Sequence, residues 1–97
     1  MTQELLDKFR SCKPGQTYYV EGINNNEHDS IQEYWYFFEC IKCHSNSIKG
    51  NDIYEWQNEN VQGWTMELEE NDTEIGVKKI TKMSEKKFRD LYPEHVL

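Results

Sequence analysis

Tyr34-Trp35-Tyr36-Phe37-Phe38 sets five aromatic side chains at consecutive positions. In a strand these alternate between faces, so Tyr34, Tyr36, Phe38 and Cys40 share one side and Trp35, Phe37, Glu39 and Ile41 the other. Both sides are then largely apolar, which describes a central strand over residues 33–42, covered on both sides rather than lying at an edge. Helix is the competing reading of such a run, but consecutive aromatics favour the pleated surface.

The rest of the chain can be ordered around that strand. Leu5, Leu6 and Phe9, with Cys12 as a fourth member, form the apolar side of a short helix capped by Thr2. Lys13-Pro14-Gly15-Gln16 stops it. Residues 17–23 read as a strand, with Tyr18 and Val20 on one side and Tyr19, Glu21 and Ile23 on the other. Residues 24–30 are a polar loop, and residues 45–52 a turn region. A short strand is expected over residues 53–56, followed by loop to Gly63. Trp64, Met66 and Leu68 alternate with Thr65, Glu67 and Glu69, the pattern of a half-buried antiparallel strand. Residues 75–83 read as a last strand whose three lysines mark a solvated face or a guarded edge. Ser84 caps a final helix with Phe88, Leu91 and Tyr92 inward, and Pro93 ends it.

This order predicts a single α+β domain: an N-terminal helix, a four- to five-stranded mostly antiparallel sheet, and a C-terminal helix. A twisted sheet with the helices packed on one face is the first arrangement; a small SH3-like barrel with terminal helices is the second. The chain of 97 residues is long enough for one core without metals or disulfides. At 36% apolar and 30% charged residues, that core depends on the aromatic 13%.

Charge narrows the classes of partner. Residues 14–77 carry thirteen carboxylates against Lys42 and Lys49, whereas both chain ends are net basic. An acidic body argues against direct binding of nucleic acid, which requires phosphate neutralisation, and against anionic membrane surfaces. A basic protein surface would attract it. The densest stretch is Glu55, Glu59, Glu67, Glu69, Glu70, Asp72 and Glu74. On one strand face Glu67 and Glu69 would stand about 7 Å apart, near the phosphate spacing of a single strand. Such a surface imitates nucleic acid toward a basic groove, with Trp56 or Trp64 as aromatic anchors. The alternative is a solvated face that keeps the protein soluble. The aromatic run itself reads as core rather than as a base-stacking platform, because its surroundings are acidic.

Cys40-Ile41-Lys42-Cys43-His44 is the pattern with a chemical reputation, since C-x-x-C-H attaches c-type haem and C-x-x-C is half of many zinc sites. A zinc site on Cys40, Cys43 and His44 would need Cys12, His28 or His95 as the fourth ligand. In a regular strand Cys40 and Cys43 point to opposite faces, so they converge only if the strand breaks after Cys40. The simpler expectation is no cofactor, with Cys40 a small core hydrophobe. An odd set of three cysteines, no apolar span and no signal-peptide core predict a cytoplasmic protein without a disulfide framework.

No G-x-S-x-G, P-loop, dinucleotide fingerprint or H-E-x-x-H occurs, and no enzymatic activity is expected. The sequence therefore points to a small inhibitor occupying the basic surface of a partner, such as a nuclease or other nucleic-acid enzyme. Toxin-immunity and phage anti-defence (anti-CRISPR-like) proteins share this size and acidity. A zinc-binding interaction module and a structural subunit of an assembly are the alternatives.

Overall fold

The computed structural model describes residues 3–25, 31–54, 60–67 and 76–96, with the backbone alone at 24, 25, 31 and 32. Helix α1 (Gln3–Arg10) is followed by strands β1 (Thr17–Asn25), β2 (Ile31–Cys43), β3 (Ser47–Asp52), β4 (Trp64–Glu67) and β5 (Gly76–Lys82). Helix α2 (Glu85–Leu91) and a 3-10 turn at Pro93–His95 complete the order. The strands form one antiparallel sheet in the order β4-β3-β2-β1-β5. The fold is α+β, and the aromatic strand is its middle member. Among the described residues no helix is long and apolar enough to cross a membrane.

The two faces of β2 are covered separately. On one, Tyr18 and Val20 of β1, Phe38 and Cys40 of β2, Ile48 of β3, and Val77 and Ile80 of β5 pack with Phe9 and Cys12 from the α1 end. Tyr34, Tyr36, Trp64 and Met66 extend this cluster outward. On the other face, Tyr19 and Phe37 pack with Met83 and Phe88, and Trp35, Tyr54, Tyr92 and Val96 surround them. Phe37 and Phe88 stack with centroids 4.4 Å apart and planes 4° from parallel.

The helices therefore lie on opposite faces of the sheet, not together on one as the first arrangement proposed. The reason is in β1 and β2 themselves. Each has large apolar side chains at both parities, so a single cover would leave Phe37 and Tyr19, or Phe38 and Val20, in water. β4 and β5 remain the two ends of an open strand order, unlike a closed barrel.

β3 occupies part of the segment read as a turn; of the short strand expected over residues 53–56, residues 53 and 54 form a bend, and 55 and 56 lie outside the described residues. The sequence Ser-Ile-Lys-Gly-Asn-Asp disguises the strand because two of its three buried positions are Gly50 and Asp52. Gly50 is buried because the rings of Phe38 and Trp64 close over it. A Cβ there would stand 2.8 Å from Phe38 and 2.9 Å from Trp64. Gly22 similarly lies under Tyr34, whose ring would clash with an added Cβ.

Gly15, at φ +83°, makes the turn after α1 and donates its N–H to the Cys40 carbonyl at 2.8 Å. Cys40 N–H returns a bond to Gln16 O at 2.9 Å, so the turn is hydrogen-bonded directly to the central strand. Ser84 caps α2 as expected, its Oγ accepting from Lys87 N–H at 3.2 Å.

Phe88 is fully buried and Tyr92 half-buried, but Leu91 is 53% exposed, correcting its inward assignment. With only two turns, α2 presents a narrow stripe, and position 91 falls outside it. Phe88→Ala is expected to cost about 3–5 kcal/mol by urea denaturation. Leu91→Ala should stay within about 0.5 kcal/mol of the wild type.

Candidate functional site

Two of the nine residues expected to contact a partner are described, Trp64 and Glu67, and β4 turns them to opposite faces. Glu55, Trp56, Glu59, Glu69, Glu70, Asp72 and Glu74 lie outside the described residues. So does His28, one of the proposed fourth metal ligands.

Trp64 faces the α1 side. Its ring packs edge-on to Phe38 at 4.8 Å, and its indole N–H donates to Asp52 Oδ1 at 2.7 Å. The side chain is half-buried and serves the core. Glu67 is exposed on the opposite face, across from Ser47 and diagonal to Lys49.

The register gives a broader pattern. Glu21, Glu33 and Glu39 stand at the same parity as Tyr19, Trp35 and Phe37, and Glu67 shares that side of the sheet. Among the described strand carboxylates, Asp52 alone points to the α1 side. The α2-bearing face thus collects four carboxylates, interspersed with the paired Lys42 and Lys49 and with Lys79, which stands opposite Glu21. Glu21 also accepts a hydrogen bond from Tyr19 Oη at 2.8 Å.

Asp52 is a structural site that pattern reading missed. It is 7% exposed, and its carboxylate accepts from Trp64 and from Val61 N–H at 3.0 Å. Its own N–H donates to Val61 O at 3.0 Å. One carboxylate thereby fastens the end of the β3–β4 connection to β3. Burial raises its pKa, and the two donated bonds offset only part of that rise. The sequence carries no local signal for it, since the tryptophan that bonds Asp52 lies twelve residues further along the chain.

The Cys-x-x-Cys segment departs from regular strand geometry. β2 pairs Cys40 with Gly50 but Lys42 with Lys49 and Cys43 with Ile48, so Ile41 is the extra residue of a β-bulge. The bulge shifts parity and brings Cys43 to the face that Cys40 occupies, against the opposite-face placement of a regular strand. Cys12 joins the same cluster from the end of α1.

Burial pushes the Cys12 thiol up to about 12, with the neighbouring Cys43 and Cys40 sulfurs adding to the rise. Cys40 and Cys43 are raised as well, again chiefly by burial. His44 is exposed, and its backbone N–H donates to Ser47 O at 2.8 Å. His95 stacks on Trp35 at 4.3 Å and on Tyr92 at 5.4 Å, as an aromatic member of the α2-side packing. Among the described residues, no group of three or more His, Cys, Asp or Glu side chains is placed to hold a metal ion.

A polar cluster sits on the outer side of α2. Tyr54 Oη donates to Glu85 Oε1 at 2.9 Å and accepts from Arg89 Nε at 2.6 Å. Arg89 also lies 5.7 Å from the Tyr54 ring centroid. These bonds join the bend after β3 to α2.

Comparisons with protein-family models, with curated proteins and with solved structures find no match for this chain.

The Asp52 arrangement gives a pH prediction. A carboxyl whose folded pKa lies above its ordinary 3.8 favours folding most when protonated. That contribution is present below 3.8 and is lost as pH rises through the higher folded value. Wild-type stability measured against Asp52→Asn should therefore decline across that interval and level off above it. Asp52→Ala, which strands both donors, should cost about 1–3 kcal/mol and speed exchange of the Val61 amide.

Proposed function

We propose that this chain is a small acidic binding protein that acts by occupying a positively charged, nucleic-acid-binding surface on a partner protein. The supporting observation is the concentration of thirteen carboxylates against two lysines within residues 14–77. The register adds to it, because Glu21, Glu33, Glu39 and Glu67 fall on one face of the sheet. An inhibitor of toxin-immunity or anti-defence type fits this reading by size and charge.

The mechanism is electrostatic and steric. A net charge of −7 accelerates encounter with a cationic groove, and a sheet packed on both sides holds the backbone beneath its surface carboxylates without further backbone ordering. Carboxylates replace phosphates as acceptors for lysine and arginine in that groove. Nucleic acid is then excluded by occupancy, and no bond is made or broken. Affinity gained this way is salt-sensitive, since the Debye length shrinks from about 10 Å at 0.1 M to about 3 Å at 1 M.

The test is capture of partners on the immobilised protein from a lysate of its source organism, with washes at low and high salt. A basic nucleic-acid enzyme that is retained at low salt, released at high salt and blocked from its substrate is the expected result. Recovery of only acidic or neutral proteins, indifferent to salt, overturns the proposal. With the captured partner in hand, reversing Glu67 and Glu69 to lysine should slow association about tenfold or more at low salt. An unchanged rate in a folded variant would remove these carboxylates from the interface.

A further inference from the structure

The bulge at Ile41 carries Cys43 to the end of α1, where its sulfur meets main-chain groups of the residues around Cys12. Cys43 Sγ lies 3.5 Å from Phe9 O, 3.7 Å from Arg10 O and 3.5 Å from His44 O. Phe9 O also accepts from the backbone N–H of Cys12 at 3.4 Å, so one carbonyl touches both cysteines. The Cys12 N–H is itself a hydrogen-bond neighbour of the Cys43 thiol. Cys12 Sγ meanwhile points back to Lys8 O at 3.5 Å. Arg10 Nε donates to Ser45 O at 2.7 Å and closes the same seam between α1 and the β2–β3 turn.

We propose that Cys12 and Cys43 are an oxidisable pair that closes into a disulfide, fastening α1 to the central strand when the protein meets hydrogen peroxide. Closure takes the Cys12 sulfur from Lys8 O onto Cys43. Cys40 is the less suited partner of Cys43: it is 1% exposed and its backbone is tied on both sides to the Gly15–Gln16 turn, whereas Cys43 is half-buried and within reach of a small oxidant.

The chemistry balances with peroxide as the two-electron oxidant. The Cys43 sulfur, its proton lost, attacks one peroxide oxygen; the O–O bond breaks and one water leaves, with Cys43 now a sulfenic acid. The Cys12 sulfur, likewise deprotonated, attacks the Cys43 sulfur and displaces the sulfenic oxygen as a second water. Two thiols are oxidised and one peroxide is reduced to two waters. Because burial holds both thiols protonated, closure is slow compared with that of a dedicated redox sensor. The pair acts as a latch under sustained oxidation.

The test uses the full reduced chain, treated with hydrogen peroxide, quenched with an alkylating agent under denaturing conditions and analysed by mass spectrometry. The expected product is monomeric, has lost two hydrogens, retains one alkylatable thiol and reverts with dithiothreitol. Its melting temperature should rise by roughly 10 °C, because the bond closes a loop of about thirty residues. Trypsin separates Cys43 from a peptide carrying both Cys12 and Cys40, so the Cys40→Ser variant decides the pairing and should form the same cross-link. Cys12→Ser should stop at a Cys43 sulfenic or over-oxidised acid. Loss of the cross-link in Cys40→Ser, a cross-link between chains, or thiols that resist peroxide because the purified protein carries stoichiometric zinc would each overturn the proposal.

Discussion

The contact between Phe37 and Phe88 is where the two-sided character of β2 becomes a three-layer fold. A strand with aromatic residues at both parities loses the advantage of burying one face if the other stays wet. Burying a side chain such as Phe37 contributes about 1.5–3 kcal/mol. The stack at 4.4 Å on Phe88 supplies that burial on the α2 side, as Phe9 does through Phe38 and Val20 on the α1 side. Both chain ends are thereby drawn in to complete the sheet, one above it and one below. The outer strands can then be short and polar, because the central pair carries the core.

Much of this was legible from residue order. The β2 face assignments as far as Cys40, the parity of Tyr18 and Val20 against Tyr19, the alternation at Trp64–Glu67 and the Ser84 cap all follow from period and capping chemistry. The errors share a physical cause. β3 escaped because its buried positions are a glycine and an aspartate, whose burial depends on rings and donors from other strands. The same-face position of Cys43 depends on a bulge, and a one-residue slip is invisible to a period-two count. The two-face placement of the helices was implicit in the strand pattern, yet neither helix's own sequence states which side it takes.

The candidate interface was less legible than the fold. Charge is a property of composition, and its meaning depends on where carboxylates stand relative to lysines. The register places Glu21, Glu33, Glu39 and Glu67 on one face but also sets Lys42, Lys49 and Lys79 among them. The thiols show the complementary lesson. The Cys-x-x-Cys spacing lies at a seam where the bulge, the end of α1 and the Gly15–Cys40 hydrogen bond meet, none of which the spacing itself announces.

Gly22 and Gly50 are seats for aromatic rings: Tyr34 rests on the first, Phe38 and Trp64 on the second. Sequence drift at this fold is consequently governed by pairs rather than by single positions. A larger residue at 22 or 50 becomes admissible only alongside a smaller one at 34, 38 or 64. Distant descendants of this chain should vary these sites in concert, glycine disappearing where its ring has been traded away.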